Sequence, residues 1–382
     1  MKKICICTLI LAVLTGLIAV CAGCNSGRSN GTASVAEREK GTIEAVTIPA
    51  PSLSNNIIGE PDEQEICIYL PYGYASGKKD YPVIYIMLDT GNSQRPSSGN
   101  IAAVGMRELA PFMNNKIAEK EIGEMIAVTI GGFNKLGCSF FANSPVTGNW
   151  EDFVTKDVVE YVDSHYRTVK NSLGRGLAGG PLMGGFGALN IAMNTKGIYG
   201  YVDVLFPALY DDEGILEPKL TNAISLDFIE KEIAKYKDLS IEEAREKYLA
   251  SIKSDYSLAY ASAFAPDPEG KAPYVKLPAK DAKGEFIKDE VWALYDGGYG
   301  DMANKLDKYK DNLNSLIGLR LTYGTTDHHT DIKRGCLYLS EEMRTRFILH
   351  EIVGTTVEHA SIINQIQRSS LGYFSDRLCG VK

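Results

Sequence analysis

A glycine-rich segment carries the residues whose spacing points most directly to chemistry. Residues 174–189 read GRGLAGGPLMGGFGAL. Glycines in the pattern G-x-S-x-G form a sharp strand-to-helix turn that exposes a nucleophilic serine hydroxyl, but no serine is present here. Counting from the glycines on the right places Leu182 at the serine position, and counting from Arg175 on the left places Pro181 there. A hydrocarbon side chain cannot attack a carbonyl, so we expect a scaffold for acyl transfer without its nucleophile.

The backbone conformation of this turn is a second reason to doubt that it presents a nucleophile. A nucleophile at such a turn normally has a positive φ angle, whereas proline is fixed near −65°. A leucine in the left-handed region costs about 1–2 kcal/mol. A chain that need not present a hydroxyl would be free to relax the turn.

The elements around the turn alternate between apolar strands and helices. Continuous apolar runs of this length are typical of buried strands, and residues 151–164 and 184–193 have helical spacing. The alternation predicts a mostly parallel α/β sheet with helices on both faces. The predicted strands are Ile66–Leu70, Val83–Leu88, Met125–Ile130, Leu177–Gly179, Tyr201–Phe206, Leu319–Tyr323 and Arg346–Val353.

The N-terminus has the pattern of an export signal. Lys2 and Lys3 precede an apolar run from Ile4 to Val20, as in a secretory signal peptide. Residues 21–24 (CAGC) resemble a bacterial lipobox, which predicts a signal at 1–23, a lipid on Cys24 and anchoring to the outside of the cell membrane. The alternative is an ordinary secretory signal that is cut nearby. Residues 24–41 read as a flexible tether, and residues 42–382 as one folded domain.

Composition limits the partners. The chain has 40 basic and 48 acidic residues, a net charge of −8. An acidic balance argues against nucleic acid as a partner. The four cysteines beyond residue 24 permit three disulfide pairings, among which the sequence cannot choose. We expect no metal or cofactor, because the pair His328 and His329 lacks further ligands at metal-binding spacing.

Several separate stretches resemble one family. Residues 51–61 (PSLSNNIIGEP), 69–74 (YLPYGY) and 81–85 (YPVIY) resemble the start of the esterase D and feruloyl-esterase-like branch of the α/β-hydrolases. Residues 137–152 (GCSFFANSPVTGNWED) are similar to an active-site loop of that branch, and residues 157–168 to the helix before its elbow. The resemblance implies the α/β-hydrolase fold. It also implies that the helical insert at about 211–262 is either a lid over the site or a surface decoration.

The resemblance assigns the remaining catalytic positions. In this fold the triad follows the order Ser, Asp, His. Asp327 follows the predicted strand 319–323 and stands at the acid position, and His359 stands at the base position. The oxyanion loop departs from the family pattern, because Leu88 and Asp89 replace a His-Gly pair. An aspartate there would place negative charge beside a developing oxyanion.

Two functions follow as alternatives. The first is a catalytically degenerate member whose former cleft binds a ligand or partner, and the resemblance suggests a glycan-linked ester or a carbohydrate. Tyr72, Asn143 and Trp150 are candidates to line that cleft. The second is an active carboxylic-ester hydrolase with a displaced nucleophile, for which Cys138 is the main candidate because a thiol is intrinsically nucleophilic. A third possibility is a surface interaction protein with a closed cleft.

Overall fold

The computed structural model describes residues 40–88, 101–214, 224–357 and 362–380. Within them, eight strands form one mixed sheet in the order β1-β2-β4-β3-β7-β8-β9-β10. The strands from β4 to β10 in this order run parallel, and β1 and β2 complete the sheet with antiparallel pairing. The mostly parallel sheet expected from the sequence is therefore confirmed. The strands are β1 Thr42–Pro49, β2 Glu63–Leu70, β3 Val83–Leu88, β4 Ile126–Gly131, β5 Asn143–Ser144, β6 Gly148–Asn149, β7 Arg175–Gly180, β8 Tyr201–Leu205, β9 Gly318–Gly324 and β10 Glu351–Thr355.

Helices pack against this sheet and follow its strands along the chain. Helix α1 packs on β2 and β4, α4 on β7 and β8, and α10 on β9. Short π-helical segments join α2 to α3 and continue α11 and α12. The helices are α1 Ile101–Ala118, α2 Trp150–Asp152, α3 Val159–His165, α4 Met183–Asn194, α5 Leu226–Ala234, α6 Ile241–Ser251, α7 Tyr256–Phe264, α8 Glu290–Tyr299, α9 Met302–Leu313, α10 Thr330–Thr345, α11 Ile362–Gln365 and α12 Leu371–Phe374.

The strand register brings the functional loops to one edge. Leu88 at the end of β3 pairs with Gly131 of β4 and with Gly180 of β7. These three parallel strands therefore end in line, and the segments that follow them leave the sheet at the same carboxyl edge. In open parallel sheets this edge is where ligand sites form.

Among the residues described between β8 and β9 there are five helices, α5 to α9, and the predicted insert covers the first part of this region. Ser240 and Glu243 form the capping box that begins α6, because each side chain satisfies a backbone amide of the first turn. No helix within the described ranges is long and apolar enough to cross a bilayer.

The last strand differs from the sequence-based prediction. Strand β10 begins at Glu351 rather than at Arg346, because residues 346–350 close the end of α10. The Ile348 amide donates to the Met343 carbonyl (2.9 Å), and the Phe347 amide donates to the Arg344 carbonyl (3.1 Å). This is a Schellman motif, in which the residue after the helix takes a left-handed conformation that favours glycine. Here that residue is Phe347, with φ 58°.

Replacing this phenylalanine with glycine is expected to stabilise the protein. Phe347 is 83% exposed, so its side chain contributes little packing, while its left-handed backbone costs about 1–2 kcal/mol. Because glycine loses more backbone entropy on folding, we expect Phe347→Gly to raise the free energy of unfolding by about 1 kcal/mol in urea denaturation. The matched control is Leu349→Gly, an equally exposed neighbour (87%) that does not have a positive φ. A gain of equal size in that control would contradict the explanation.

Candidate functional site

The turn between β7 and α4 has the backbone geometry of an elbow, and the positions of its glycines distinguish Leu182 from Pro181. Strand β7 ends at Gly180 and α4 begins at Met183, which leaves only Pro181 and Leu182 in the turn. Leu182 has φ 43° and ψ −104°, and it lies two residues from a glycine on each side, as in G-x-S-x-G. Leu182, rather than Pro181, therefore has the spacing of the serine in this pattern, and no further residue lies between β7 and α4.

Contacts with the end of β8 hold Leu182 in this conformation. Its amide donates to the Phe206 carbonyl (2.7 Å), and its carbonyl accepts from the amides of Ala208 (3.1 Å) and Phe186 (2.9 Å). The turn has kept this conformation, although a chain without a nucleophile would be free to relax it, because the polar backbone groups of Leu182 bond to neighbouring elements. Relaxing φ would break hydrogen bonds, each worth about 0.5–1.5 kcal/mol, and this offsets the cost of a left-handed leucine.

Two glycines allow the helix to lie directly against the sheet. A Cβ atom on Gly179 would come within 2.2 Å of the Gly184 carbonyl oxygen, and one on Gly185 within 2.4 Å of the Leu205 carbonyl oxygen. No side chain fits at either position, so these glycines are required by the packing of α4 whether or not the turn performs chemistry.

One element of an oxyanion hole remains at the elbow. The amide of the residue after the nucleophile supplies one of its donors, and here that residue is Met183, the first of α4. The first amides of a helix have no acceptor inside the helix, and none of the described residues accepts from the Met183 amide. The second donor would come from the segment after β3. Leu88 ends that strand, and Asp89 lies outside the described residues.

The predicted acid lies at the carboxyl end of β9. Asp327 is 7% exposed, and its Oδ1 accepts from the His329 amide at 2.9 Å. A Cβ on Gly324, the last residue of β9, would lie 2.8 Å from Asp327 Cβ and 3.1 Å from the Val357 carbonyl oxygen. Asp327 therefore adjoins the chain that leads to residue 359. His359 itself lies outside the described residues, as does the predicted lipidation site Cys24.

The other four histidines contact neighbouring side chains. His165 stacks on Tyr161, and His350 contacts the Ser340 hydroxyl through Nε2 (2.8 Å). His328 and His329 lie side by side next to Asp327. Within the described ranges, no group of three or more potential ligands could hold a metal ion.

The loop after β4 places the predicted cleft residues in different environments. Trp150 is fully buried and donates from Nε1 to the Thr147 carbonyl. Asn143 is exposed, but its side chain exchanges hydrogen bonds with Asp152 at the start of α2. Tyr72 is 45% exposed on a different loop. Trp150 does not reach solvent, whereas Asn143 and Tyr72 do.

The thiol and the two hydroxyls that could act as nucleophiles in the loop after β4 are buried or hydrogen-bonded. Cys138 is 4% exposed, and the Ser139 hydroxyl accepts from the Phe141 amide. The Ser144 hydroxyl donates to the Ser262 carbonyl (2.6 Å) and accepts from the Val146 amide. No disulfide joins the four cysteines in the described part of the chain.

An aromatic cluster beneath the elbow was not predicted. It joins the loop after β4 to the first turn of α4 and to helices α7 and α8. Tyr256, Tyr260 and Phe264 follow one another at four-residue spacing, and this was the sequence signal that could have revealed the cluster. Its members are Phe140, Phe186, Tyr256, Tyr260, Phe264 and Tyr299.

Lys305 of α9 borders this cluster. Its ammonium lies 5.6 Å from the Phe186 ring centre and donates to the Gly298 carbonyl (2.8 Å). Loss of hydration lowers the pKa of Lys305 to about 8, despite the opposing charges of Asp301 and Asp296. Helices α7 to α9 therefore pack below the elbow and support it.

Comparison with known proteins agrees with this geometry. Residues 61–242 match a protein-family model described as "Putative esterase". An endo-1,4-beta-xylanase/feruloyl esterase of Xylanibacter ruminicola is 27% identical over 177 residues, which cover 43% of this chain and 22% of that protein. The chain thus spans only about a fifth of that relative's length.

Solved structures show the same architecture. A ferulic acid esterase superposes with a TM-score of 0.55 at 14% identity, covering 88% of this chain and 98% of that structure. An S-formylglutathione hydrolase from Agrobacterium tumefaciens superposes with a TM-score of 0.51 at 12% identity, covering 89% and 96% of the two chains. At such low identity the similarity is one of fold.

Proposed function

Because this chain is an esterase-like α/β-hydrolase, we propose that it is a catalytically degenerate member that acts by binding a ligand or partner. The observation that carries the proposal is Leu182, a hydrocarbon side chain that lies at the turn between β7 and α4 with φ 43° and ψ −104°. Loss of the nucleophile in a serine hydrolase costs on the order of 10⁶ in rate. Loss of one oxyanion donor costs a further 10²–10³, roughly.

A hydrolase with a displaced nucleophile is the alternative. It would need a hydroxyl or thiol that is free to reach a substrate carbonyl near Asp327 and His359. The serines of the loop after β4 use their hydroxyls in hydrogen bonds that hold the loop together, and the Cys138 thiol is buried. These placements favour a catalytically degenerate protein over a hydrolase with a displaced nucleophile.

The proposal also includes the class of ligand and the cellular location. The relative in Xylanibacter ruminicola is named for action on xylan and feruloyl esters, and this supports a glycan-linked ester or a carbohydrate as ligand class. The lipobox-like sequence at residues 21–24 supports anchoring outside the cell through a lipid on Cys24. Labelling of cells with an alkyne fatty acid would transfer the label to the wild type but not to Cys24→Ala, and equal labelling would refute the anchor.

Activity measurements test the central claim. The purified protein is incubated with p-nitrophenyl acetate, with methyl ferulate and with a fluorophosphonate probe. We expect no turnover above buffer and no covalent labelling, together with a rise in melting temperature in the presence of a feruloylated oligosaccharide. Turnover that disappears in His359→Ala would overturn the proposal in favour of the displaced nucleophile.

A further inference from the structure

Large apolar side chains are exposed along the amino edge of the sheet, which lies opposite the elbow. Some of them belong to the segments that lead into β7, β9 and β10, and others lie where β1 begins and β2 ends. Scattered apolar residues on a surface are ordinary, but a group along one edge marks an interaction surface. The side chains are Ile43, Tyr72, Leu173, Ile317, Phe347 and Leu349, with exposed fractions from 44% to 87%.

The strand register brings these segments together. Tyr201 at the start of β8 pairs with Gly176 of β7 and with Gly318 of β9, and β10 pairs in parallel with β9. The Ile317 amide donates to the Gly200 carbonyl (2.8 Å). The loops before these four strands are therefore neighbours on one surface.

Phe347 and Leu349 are the most exposed of these side chains. Phe347 keeps a left-handed backbone at a helix end where glycine is favoured. Ile348 between them is buried, and its amide donates to the Met343 carbonyl, so the loop is held in place while both neighbours are exposed. A strained residue that the core does not use points to a function at the surface.

The loops before β7, β8, β9 and β10 are also basic. They contain four lysines and arginines and no acidic residue, although the whole chain has a net charge of −8. Lys170 and Lys196 are exposed, and no carboxylate among the described residues pairs with either. The four loops are residues 166–174, 195–200, 314–317 and 346–350.

The acidic residues around the last loop do not reverse this charge, because each of them is paired. Arg346 binds Asp307 through two hydrogen bonds (2.7 and 3.1 Å) and Glu342 through another (2.6 Å). Glu351 pairs with Arg377. The unpaired charge on the four loops is therefore positive.

The predicted tether joins the domain at the same edge. Strand β1 is antiparallel to β2, which is antiparallel to β4, so β1 runs in the direction of the parallel strands and begins with Thr42 at their amino edge. A tether over residues 24–41 spans at most about 60 Å when extended. A lipid on Cys24 and this edge can therefore reach the same bilayer, and this step alone rests on the proposed anchor.

We infer that the amino edge of the sheet docks on the surface of a phospholipid bilayer with anionic headgroups. The apolar side chains enter the interfacial region, and the lysines stay among the headgroups. Single side chains that project from separate loops suit fluid lipid, whereas a second copy of the chain would need a continuous complementary surface. The inference goes beyond the lipid anchor, because the folded domain itself makes the contact. The elbow then faces away from the membrane, since β7 separates the two edges by about 20 Å.

Vesicle co-sedimentation tests this contact without the signal sequence and the lipid. Residues 39–382 form one compact unit that contains every described helix and strand, so this part of the chain is used. The vesicles are equimolar phosphatidylglycerol and phosphatidylcholine, with pure phosphatidylcholine as the comparison. The apolar variant is Phe347→Gly/Leu349→Ser. The matched control, Ile241→Ser/Leu249→Ser, removes two exposed apolar side chains from α6 in the insert.

We expect the wild type to bind the anionic vesicles and the apolar variant to bind at least tenfold more weakly, since binding follows the apolar area that is buried. The control should bind as the wild type does. Because Phe347→Gly is expected to stabilise the fold, unfolding does not explain a loss. Absence of wild-type binding at about 5 mM lipid, or undiminished binding by the apolar variant, would overturn the inference.

A second variant separates the electrostatic contribution. Lys170→Gln/Lys196→Gln should weaken binding to anionic vesicles about three- to fivefold for each lysine removed, and this difference should shrink at high salt. Equal binding by this variant and the wild type would refute the role of the anionic headgroups.

Sedimentation equilibrium examines the competing occupant, a second copy of the chain. A dimer that the apolar variant abolishes, without vesicle binding by the wild type, would make this edge an interface between copies and would overturn the inference. Fatty-acid labelling at Cys24 reports on the proposed anchor, whereas the protein used here lacks Cys24. A failure of the anchor and a failure of the docking edge can therefore be told apart.

Discussion

Leu182→Ser is expected to gain esterase activity about 10³-fold above the wild type. The substitution puts a hydroxyl on a residue that already has the elbow backbone, with φ 43° and ψ −104°. Restoring a serine nucleophile recovers on the order of 10⁶ in rate, and an impaired oxyanion hole subtracts about 10²–10³ of this. No deletion is needed, because the turn contains no additional residue. Hydrolysis of p-nitrophenyl acetate and fluorophosphonate labelling measure the gain.

Two variants separate nucleophilic catalysis from other effects of the substitution. Leu182→Ala removes the same hydrocarbon without adding a hydroxyl, and it should remain inert. Leu182→Ser combined with Asp327→Asn should fall back to that level, since the acid orients the base. Adding Asp89→Gly to Leu182→Ser should raise activity further if the aspartate opposes the oxyanion. If Leu182→Ser melts at the wild-type temperature yet is neither labelled nor active, then Asp327 and His359 are not the acid and base of this fold.

The sequence was sufficient to locate the strand-to-helix turn between β7 and α4 because that turn depends on a local pattern. A short apolar strand followed by closely spaced glycines has few structural solutions, since the glycines are needed where α4 touches β7 and β8. Asp327 was assigned to the acid position by the family resemblance, which places an aspartate shortly after this apolar strand. Strand β3 was placed with its exact ends because a fully buried strand reads as a continuous apolar run.

Other features depend on partners far away in sequence. The elbow keeps its backbone through bonds from Leu182 to Phe206 and Ala208, which no local pattern reveals. Strand β10 was predicted five residues too early because the left-handed Phe347 violates the preference for glycine at a helix end. Strand β1 was not predicted, since as an exposed edge strand it lacks a continuous apolar run.

The placement of loop side chains was the least accessible to sequence reasoning. Trp150 and Asn143 were interpreted as cleft residues because they lie in a loop that resembles an active-site loop. In the structure one is packed in the core and the other holds the start of α2. Aromatic and amide side chains serve structural and binding roles equally well, so only their neighbours distinguish the two.

A buried ion pair between β8 and β9 is expected to contribute strongly to the free energy of unfolding. Asp203 of β8 is fully buried and accepts two hydrogen bonds from Arg320 of β9 (2.9 and 2.6 Å) and one from the Ser370 hydroxyl (2.6 Å). The Arg320 guanidinium also lies over the Tyr373 ring, 4.2 Å from its centre. The pair thus joins the adjacent strands β8 and β9 to the helical segment at residues 362–370. This segment follows His359 in the chain.

Arg320→Met should lower the free energy of unfolding by about 3–5 kcal/mol, because it leaves the Asp203 carboxylate buried without its cation. The double variant Asp203→Leu/Arg320→Met should recover most of this loss, since replacing both partners by apolar side chains is often nearly neutral. Urea denaturation of the four proteins in this cycle gives the coupling energy. The matched control is Arg344→Met, which breaks an exposed pair with Glu341 and should change stability by less than about 0.5 kcal/mol. Equal losses in Arg320→Met and the double variant would mean that packing around the guanidinium, rather than an uncompensated carboxylate, holds β8, β9 and the C-terminal segment together.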